Sequence, residues 1–243
     1  MLMRFIVLYV KSLMEVNVKG GGMNERATVK GQAIYSKIVL SIYDFWVLGI
    51  SNHYFWKCPT RTISNHFVDC VSQNHLDVGV GTGYYLKDFL PPNTKRIALM
   101  DMNKNSLDKA ERAINNFLPE VYQVDVMNMS DLCIERFDSI SVNYLLHCLP
   151  GVLDEKSMLF SNIKPFLNDE GVLFGSTILG KGVKVGFFAN RIMNFYNKKG
   201  VFSNLHDDIE SLSICLNKHF YNVDIKIVGC VALFSCKNSK YMA

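Results

Sequence analysis

The chain has 243 residues, of which 49% are hydrophobic and 20% charged, a composition that suits one globular domain with a substantial core. The formal net charge of +4 is spread along the chain without a dense run of lysine and arginine, so composition gives no support to nucleic-acid binding. The seven cysteines (Cys58, Cys70, Cys133, Cys148, Cys215, Cys230 and Cys236) are odd in number and none is spaced C-x-x-C. That argues against a disulfide framework or a zinc site and fits a reducing, cytoplasmic compartment, with several thiols expected as core residues.

In chain order, Met1-Leu2-Met3-Arg4 precede an apolar run from Phe5 to Val10 and then Lys11. The run is marginal beside the ~7–15 residues of a secretory segment, and no small-residue cleavage site follows it. With Gly20-Gly21-Gly22 behind it, the stretch 1–22 is expected to be a poorly ordered leader. Residues 23–72 are expected to form a helical lid rich in aromatics: Tyr35, Tyr43, Phe45, Trp46, Tyr54, Phe55 and Trp56. Its longest apolar stretch, Ile38 to Ile50, is shorter than the ~20 residues of a membrane span and carries Asp44, so no membrane partner is expected.

Residues 73–243 alternate apolar β-like runs with longer mixed segments, the pattern of βαβ units and a parallel sheet. Strands are predicted at His75–Val78, Arg96–Met100, Glu120–Val124, Ser139–Asn143 and Val172–Thr177. Helices are predicted at Tyr84–Phe89, Ser106–Asn116 and Leu153–Leu167, the last two from apolar residues at helical spacing. Lys181–Ser203 reads as a helix with loops, and Asp207–His219 as a further helix. Two strands, Val223–Val228 and Ala232–Cys236, flank Gly229-Cys230 as an antiparallel hairpin. The fold class is therefore α/β: five parallel βα units closed by an antiparallel pair.

The first strand runs into Leu76-Asp77-Val78-Gly79-Val80-Gly81-Thr82-Gly83. Glycines let the backbone bend sharply and let a ligand approach without meeting Cβ atoms. The turn sits at the carboxyl end of a strand, where open α/β sheets bind ligands, and a bare βα turn does not need three alternating glycines. Dinucleotide sites want a small residue three positions after the second glycine; here that residue is Tyr84. Asp77 would repel a pyrophosphate and would suit the ammonium group of an amino-acid-bearing cofactor. Charge and sterics therefore favour S-adenosylmethionine over NAD. Asp101 ends the second strand, where an acid accepts hydrogen bonds from ribose hydroxyls, or alternatively carries charge beside a helix start capped by Asn105 or Ser106. Asp125 ends the third strand, where an acid could accept from an adenine amino group, or alternatively is a solvated loop residue.

These strand-end residues together resemble the class I S-adenosylmethionine-dependent methyltransferase superfamily, over about residues 31–236. The likeness is to bacterial and fungal small-molecule methyltransferases that carry runs like Tyr43-Asp44-Phe45-Trp46-Val47-Leu48-Gly49-Ile50-Ser51-Asn52 and Trp56-Lys57-Cys58-Pro59-Thr60. The resemblance implies a Rossmann-like seven-stranded sheet with an antiparallel last strand, helices on both faces and N-terminal helices as a lid. It implies that Asp77, Gly79, Gly81 and Gly83 hold the methionine end of the cofactor, Asp101 with Met102 the ribose side, and Asp125 with Val126 the adenine. Asn143 would face the methyl donor, and S-adenosylhomocysteine would be the product.

On the acceptor side, Asn143-Tyr144-Leu145-Leu146-His147 lacks the paired prolines frequent in adenine and amide N-methyltransferases. The expected partner is a small molecule, with secondary metabolites included. His147 and Tyr43 are the candidate catalytic residues; His147 could act as a base, although a histidine in such an apolar run is more often packed or capping. The aromatic group Phe187 to Tyr196 could wall a substrate pocket or make a homodimer contact. No metal is expected. Two alternatives stand beside methyl transfer: a cofactor-binding regulatory protein on the same fold, and a nucleotide-dependent oxidoreductase, which Tyr84 and Asp77 disfavour.

Overall fold

The computed structural model describes residues 52–129 and 132–239. The expected leader and most of the expected lid, Tyr35, Tyr43, Phe45 and Trp46 among them, lie outside the described residues. In chain order the elements are α1 (Thr60–Cys70), β1 (Asn74–Val78), α2 (Tyr84–Phe89), β2 (Arg96–Asp101), α3 (Lys104–Ala113), β3 (Glu120–Gln123) and β4 (Phe137–Asn143). They continue with α4 (Leu153–Lys156), α5 (Met158–Ile163), β5 (Leu167–Ile178), α6 (Phe187–Lys198), α7 (Ile209–His219), β6 (Tyr221–Val228) and β7 (Val231–Lys237).

The seven strands form one sheet in the order β3-β2-β1-β4-β5-β7-β6. β1 pairs in parallel with β2 and β4, β2 with β3, and β4 with β5. β7 runs antiparallel to both β5 and β6. The Rossmann-like sheet with an antiparallel last strand is thus what the chain forms, and that last strand lies inside the sheet.

Strand alternation sorts the core into two layers. Leu76, Val78, Ala98, Met100, Ile140 and Val142 point to one face, where Leu159, Phe160 and Ile163 of the α5 region and Leu212 and Leu216 of α7 cover them. Ile97, Leu99 and Phe174 point to the other, beneath Phe67 of α1, Leu86 of α2 and Leu107 and Ala110 of α3. A third apolar cluster lies past the carboxyl end of β5 and joins Trp56 and Cys58 to Ile178, Met193, Phe202, Cys230 and Leu233. Each fully buried side chain of this size is worth about 1.5–3 kcal/mol. Cys58, Cys215, Cys230 and Cys236 are buried, as expected of core thiols. His66 of α1 donates from Nε2 to the Phe234 carbonyl at 2.9 Å and so ties α1 to β7.

Several boundaries differ from the sequence expectation. The helix expected from Ser106 begins at Lys104, because the Asn103 side chain, rather than Asn105 or Ser106, caps it by accepting the Asn105 N–H at 3.0 Å. The helix expected over Leu153–Leu167 is broken into α4, α5 and a 3-10 turn at Lys164–Phe166 that contains Pro165. Proline lacks an N–H and disfavours helix in the residue before it, so the chain extends early and β5 starts at Leu167 rather than Val172. α7 starts at Ile209, capped by Asp208 accepting the Ser211 N–H at 2.8 Å. Between α4 and the loop before α7, Lys156 Nζ meets Asp207 Oδ2 at 2.7 Å with both side chains buried, at 0% and 1% exposure.

Candidate functional site

The three glycines of the turn after β1 do three different jobs. All have positive φ, at +75° for Gly79, +53° for Gly81 and +74° for Gly83, which disfavours side chains there. A Cβ on Gly79 would touch the Leu145 side chain at 3.0 Å, and one on Gly83 would meet Ala110 Cα at 2.9 Å. Gly83 therefore supplies the close contact with α3 that a glycine one position later serves in dinucleotide sites. A Cβ on Gly81 would meet nothing within 4 Å, so its open side is a cradle that a side chain would fill.

Asp101, at the end of β2, fastens this turn. Its Oδ1 accepts the Asn103 N–H at 2.8 Å, and the N–H groups of Val80, Gly81 and Met102 also point to its carboxylate. Partial burial raises its pKa and those hydrogen bonds oppose the rise. Met102 beside it is exposed. Asp125 accepts the Met127 N–H at 2.9 Å and the Asn128 side-chain amide at 2.9 Å, which folds the loop after β3. Val126 is buried in the core and its carbonyl accepts from Asn162.

Asp77 is buried and accepts a short hydrogen bond from the Ser141 hydroxyl. Burial pushes its carboxyl up to about 7, Ser141 opposes that, and the nearby Asp101 charge adds to it. Two acids on adjacent strand ends thus repel one another in the free protein, and a cationic ligand would relieve them.

Asn143 ends β4. Its Oδ1 accepts the Ser176 hydroxyl at 2.9 Å, while its buried Nδ2 has no hydrogen-bond partner. The Tyr85 hydroxyl in α2 is likewise buried without a partner. Burial holds its pKa well above the ordinary tyrosine value. Tyr144 follows Asn143 at φ +55° and donates its hydroxyl to Asn52 Oδ1 at 2.9 Å, while Asn52 itself donates to Thr60 at 3.1 Å. The segment before α1 is thereby tied to the loop after β4.

His147 is buried, with its ring 4.6 Å from that of Phe202. Its Nδ1 accepts the Ile178 N–H at 3.3 Å, and burial, with a smaller push from Lys156, lowers its pKa to about 3. The ring is neutral and weakly basic. Tyr43 lies outside the described residues. The glycines, Asp77 and Asp101 are brought together, with Asn143 at the end of β4, the strand next to β1. Ser141, Tyr85 and Asn52 were not singled out as site residues by sequence; the alternating polar residues of β4 were the signal for Ser141.

At the carboxyl edge of the parallel sheet the structure thus places a glycine turn, open at Gly81, beside two acids. A family model described as a methyltransferase domain matches residues 76–173, from the turn into the middle of β5. The chain is 40% identical over 215 residues to the physcion biosynthesis cluster O-methyltransferase of Aspergillus chevalieri, covering 88% of this chain and 97% of that one. It is 32% identical to the demethylluteothin O-methyltransferase of Streptomyces thioluteus, covering 86% and 92%. Among solved structures, the N-methyltransferase NodS of Bradyrhizobium japonicum with S-adenosylhomocysteine superposes at a TM-score of 0.56 and 16% identity, over 74% of this chain and 87% of that one. The chain belongs to the class I S-adenosylmethionine-dependent methyltransferases. Among the described residues no helix is long and apolar enough to cross a membrane.

Proposed function

We propose that this chain binds S-adenosylmethionine over the turn after β1 and transfers its methyl group to the oxygen of a small, readily ionised hydroxyl compound. The observation that carries this is the pairing of an open glycine cradle at Gly81 with an unpartnered buried donor at Asn143 Nδ2. A buried donor without a partner costs about 1–3 kcal/mol unless a ligand satisfies it.

Asp77 and the glycines would hold the methionine end, Asp101 with Met102 the ribose side, Asp125 with Val126 the adenine, and Asn143 the region of the sulfur. When bound, the cofactor supplies a methyl group already activated on a sulfonium. The chain's residues orient donor and acceptor and exclude water. Trp56, Tyr85, Tyr144 and Phe202 pack in one apolar cluster, which Tyr144 brings next to Asn143. His147 is buried and its Nδ1 already accepts the Ile178 N–H, so it is poorly placed to take a proton from an aliphatic alcohol. That favours an acceptor that loses its proton easily, a phenol or an enol. The names of the two O-methyltransferase relatives agree with oxygen as the acceptor atom.

The test is product analysis by mass spectrometry after incubation with S-adenosylmethionine and panels of phenols, aliphatic alcohols, amines and thiols. O-methylation of phenols supports the proposal. Methylation of amines or thiols alone overturns the oxygen assignment, and cofactor binding without turnover on any panel supports a binding protein instead. A homodimer belongs to the same proposal: Phe187 and Phe188 on α6 are 71% and 57% exposed, an apolar pair available for self-association. A monomeric mass in light scattering at working concentration refutes it.

A further inference from the structure

A line of polar side chains runs through the middle of the sheet and ends on Asp77. His75 and Asp77 of β1 share one face, and across the β1–β4 ladder they stand opposite Ser139 and Ser141. His75 Nδ1 lies 2.7 Å from Ser139 Oγ, and its Nε2 lies 3.0 Å from Ser141 Oγ. Ser141 donates to Asp77 Oδ1. At the other end Ser139 accepts the Ser72 N–H at 2.9 Å and lies 2.8 Å from the Ser72 hydroxyl. His75, Ser139 and Ser141 are all fully buried.

When Asp77 is ionised, one arrangement of protons satisfies the line. Ser141 donates to Asp77, so it must accept from His75 Nε2–H, and the free Nδ1 then accepts from the Ser139 hydroxyl. Every donor points toward the carboxylate, and such a chain polarises in its favour. The imidazole is also fixed sideways: it lies 5.6 Å edge-on from the Phe67 ring and 5.7 Å stacked on Phe174. Central strands of a parallel sheet are ordinarily apolar on both faces, so this row of buried polar groups departs from what packing alone requires.

We propose that His75 is a positioning residue for the methyl donor: through Ser141 it fixes the Asp77 carboxylate in the orientation that receives the cofactor's amino group. This rests on the assignment of Asp77 to the methionine end. The residue touches no ligand itself and acts through one hydroxyl.

The experiment compares two ligands by titration calorimetry above neutral pH. S-adenosylhomocysteine carries the amino-acid end, and 5′-methylthioadenosine has the adenosine but lacks that end. His75→Phe keeps an aromatic ring between Phe67 and Phe174 and removes both hydrogen bonds. It should weaken S-adenosylhomocysteine about tenfold or more, the scale of one hydrogen bond to a charged group, and change methylthioadenosine less than about twofold. His75→Gln, whose amide can still donate to Ser141, should recover much of the loss. Ser141→Ala should repeat the selective loss and carries the test if His75→Phe does not fold. Equal weakening of both ligands, or no weakening of either, overturns the proposal. Asp77→Asn separates the premise from the inference. If it leaves the preference between the ligands unchanged, the Asp77 assignment falls and the proposal with it. If it lowers the preference while His75→Phe and Ser141→Ala do not, the proposal alone falls.

Discussion

Gly81→Ala should separate cofactor binding from folding more cleanly than any other change in the turn. Gly81 sits at φ +53°, where a side chain costs about 1–2 kcal/mol, but an added Cβ meets nothing within 4 Å. Part of the cost is offset because alanine restricts the unfolded chain, by about 0.4–1 kcal/mol. The net loss is on the order of 1 kcal/mol, which in a chain of this size lowers Tm by about 2–4 °C. The new methyl group occupies the cradle, so the cofactor should be excluded. Gly83→Ala is the contrast: its Cβ would stand 2.9 Å from Ala110 Cα, in α3 backbone that cannot swing aside. Overpacking adds about 1–3 kcal/mol there. The assay is thermal unfolding with and without S-adenosylhomocysteine at about a hundred times its Kd, which stabilises the parent by about 2.7 kcal/mol. Gly81→Ala should melt near the parent temperature and show none of this upshift. Gly83→Ala should melt well below it. If ligand stabilises Gly81→Ala as much as the parent, the open side of Gly81 is not where the cofactor lies.

Three further outcomes are expected. Asp77 titrates near 7 in the folded protein because burial raises it, so the folded state holds its proton more tightly than the unfolded one. Its contribution is fully present below the unfolded value and is lost as pH rises through about 7, a loss on the order of 4 kcal/mol. Asp77→Asn should remove that component from the pH dependence of stability in urea titrations; parallel curves for the two proteins would refute the burial argument. Lys156→Met strands the buried Asp207 carboxylate, whose pKa burial already raises, and should cost about 3–5 kcal/mol, read as a lower urea midpoint; a cost below about 1 kcal/mol would contradict the uncompensated charge. Tyr144→Phe leaves Asn52 Oδ1 without the tyrosine hydroxyl and should cost about 1–3 kcal/mol; a Tm within about 1 °C of the parent would show that this tie carries no stability.

The strand-end motif was legible because its residues are forced by local geometry. Three glycines with positive φ and acids at the ends of β1 and β2 leave a pattern that survives without tertiary knowledge. The roles within the motif were less legible: Gly83 stands against Ala110, a contact that only the packing of α3 reveals. His147 looked like a candidate base by residue type, whereas its burial and its hydrogen bond from Ile178 depend on where β5 ends. The break at Pro165 was present in the letters, but the apolar periodicity from Leu153 to Phe166 outweighed it. The polar row was also visible in part. Ser139, Ser141 and Asn143 alternate with Ile140 and Val142, and His75 and Asp77 alternate with Leu76. What the letters could not show was the register that sets His75 opposite Ser139 and Asp77 opposite Ser141.

The placement of β7 between β5 and β6 bears on how the protein is made. The edge of β5 from Val172 to Ile178 finds its second partner only in Val231–Lys237, some sixty residues further on. Until that segment has left the ribosome, an apolar strand edge stays open, and open edges recruit other chains. β6 leaves first but cannot dock on β5, since its place in the sheet is against β7. Pairing of β7 with β5 is therefore a late, long-range step, and until it is made a growing chain carries an edge open to aggregation.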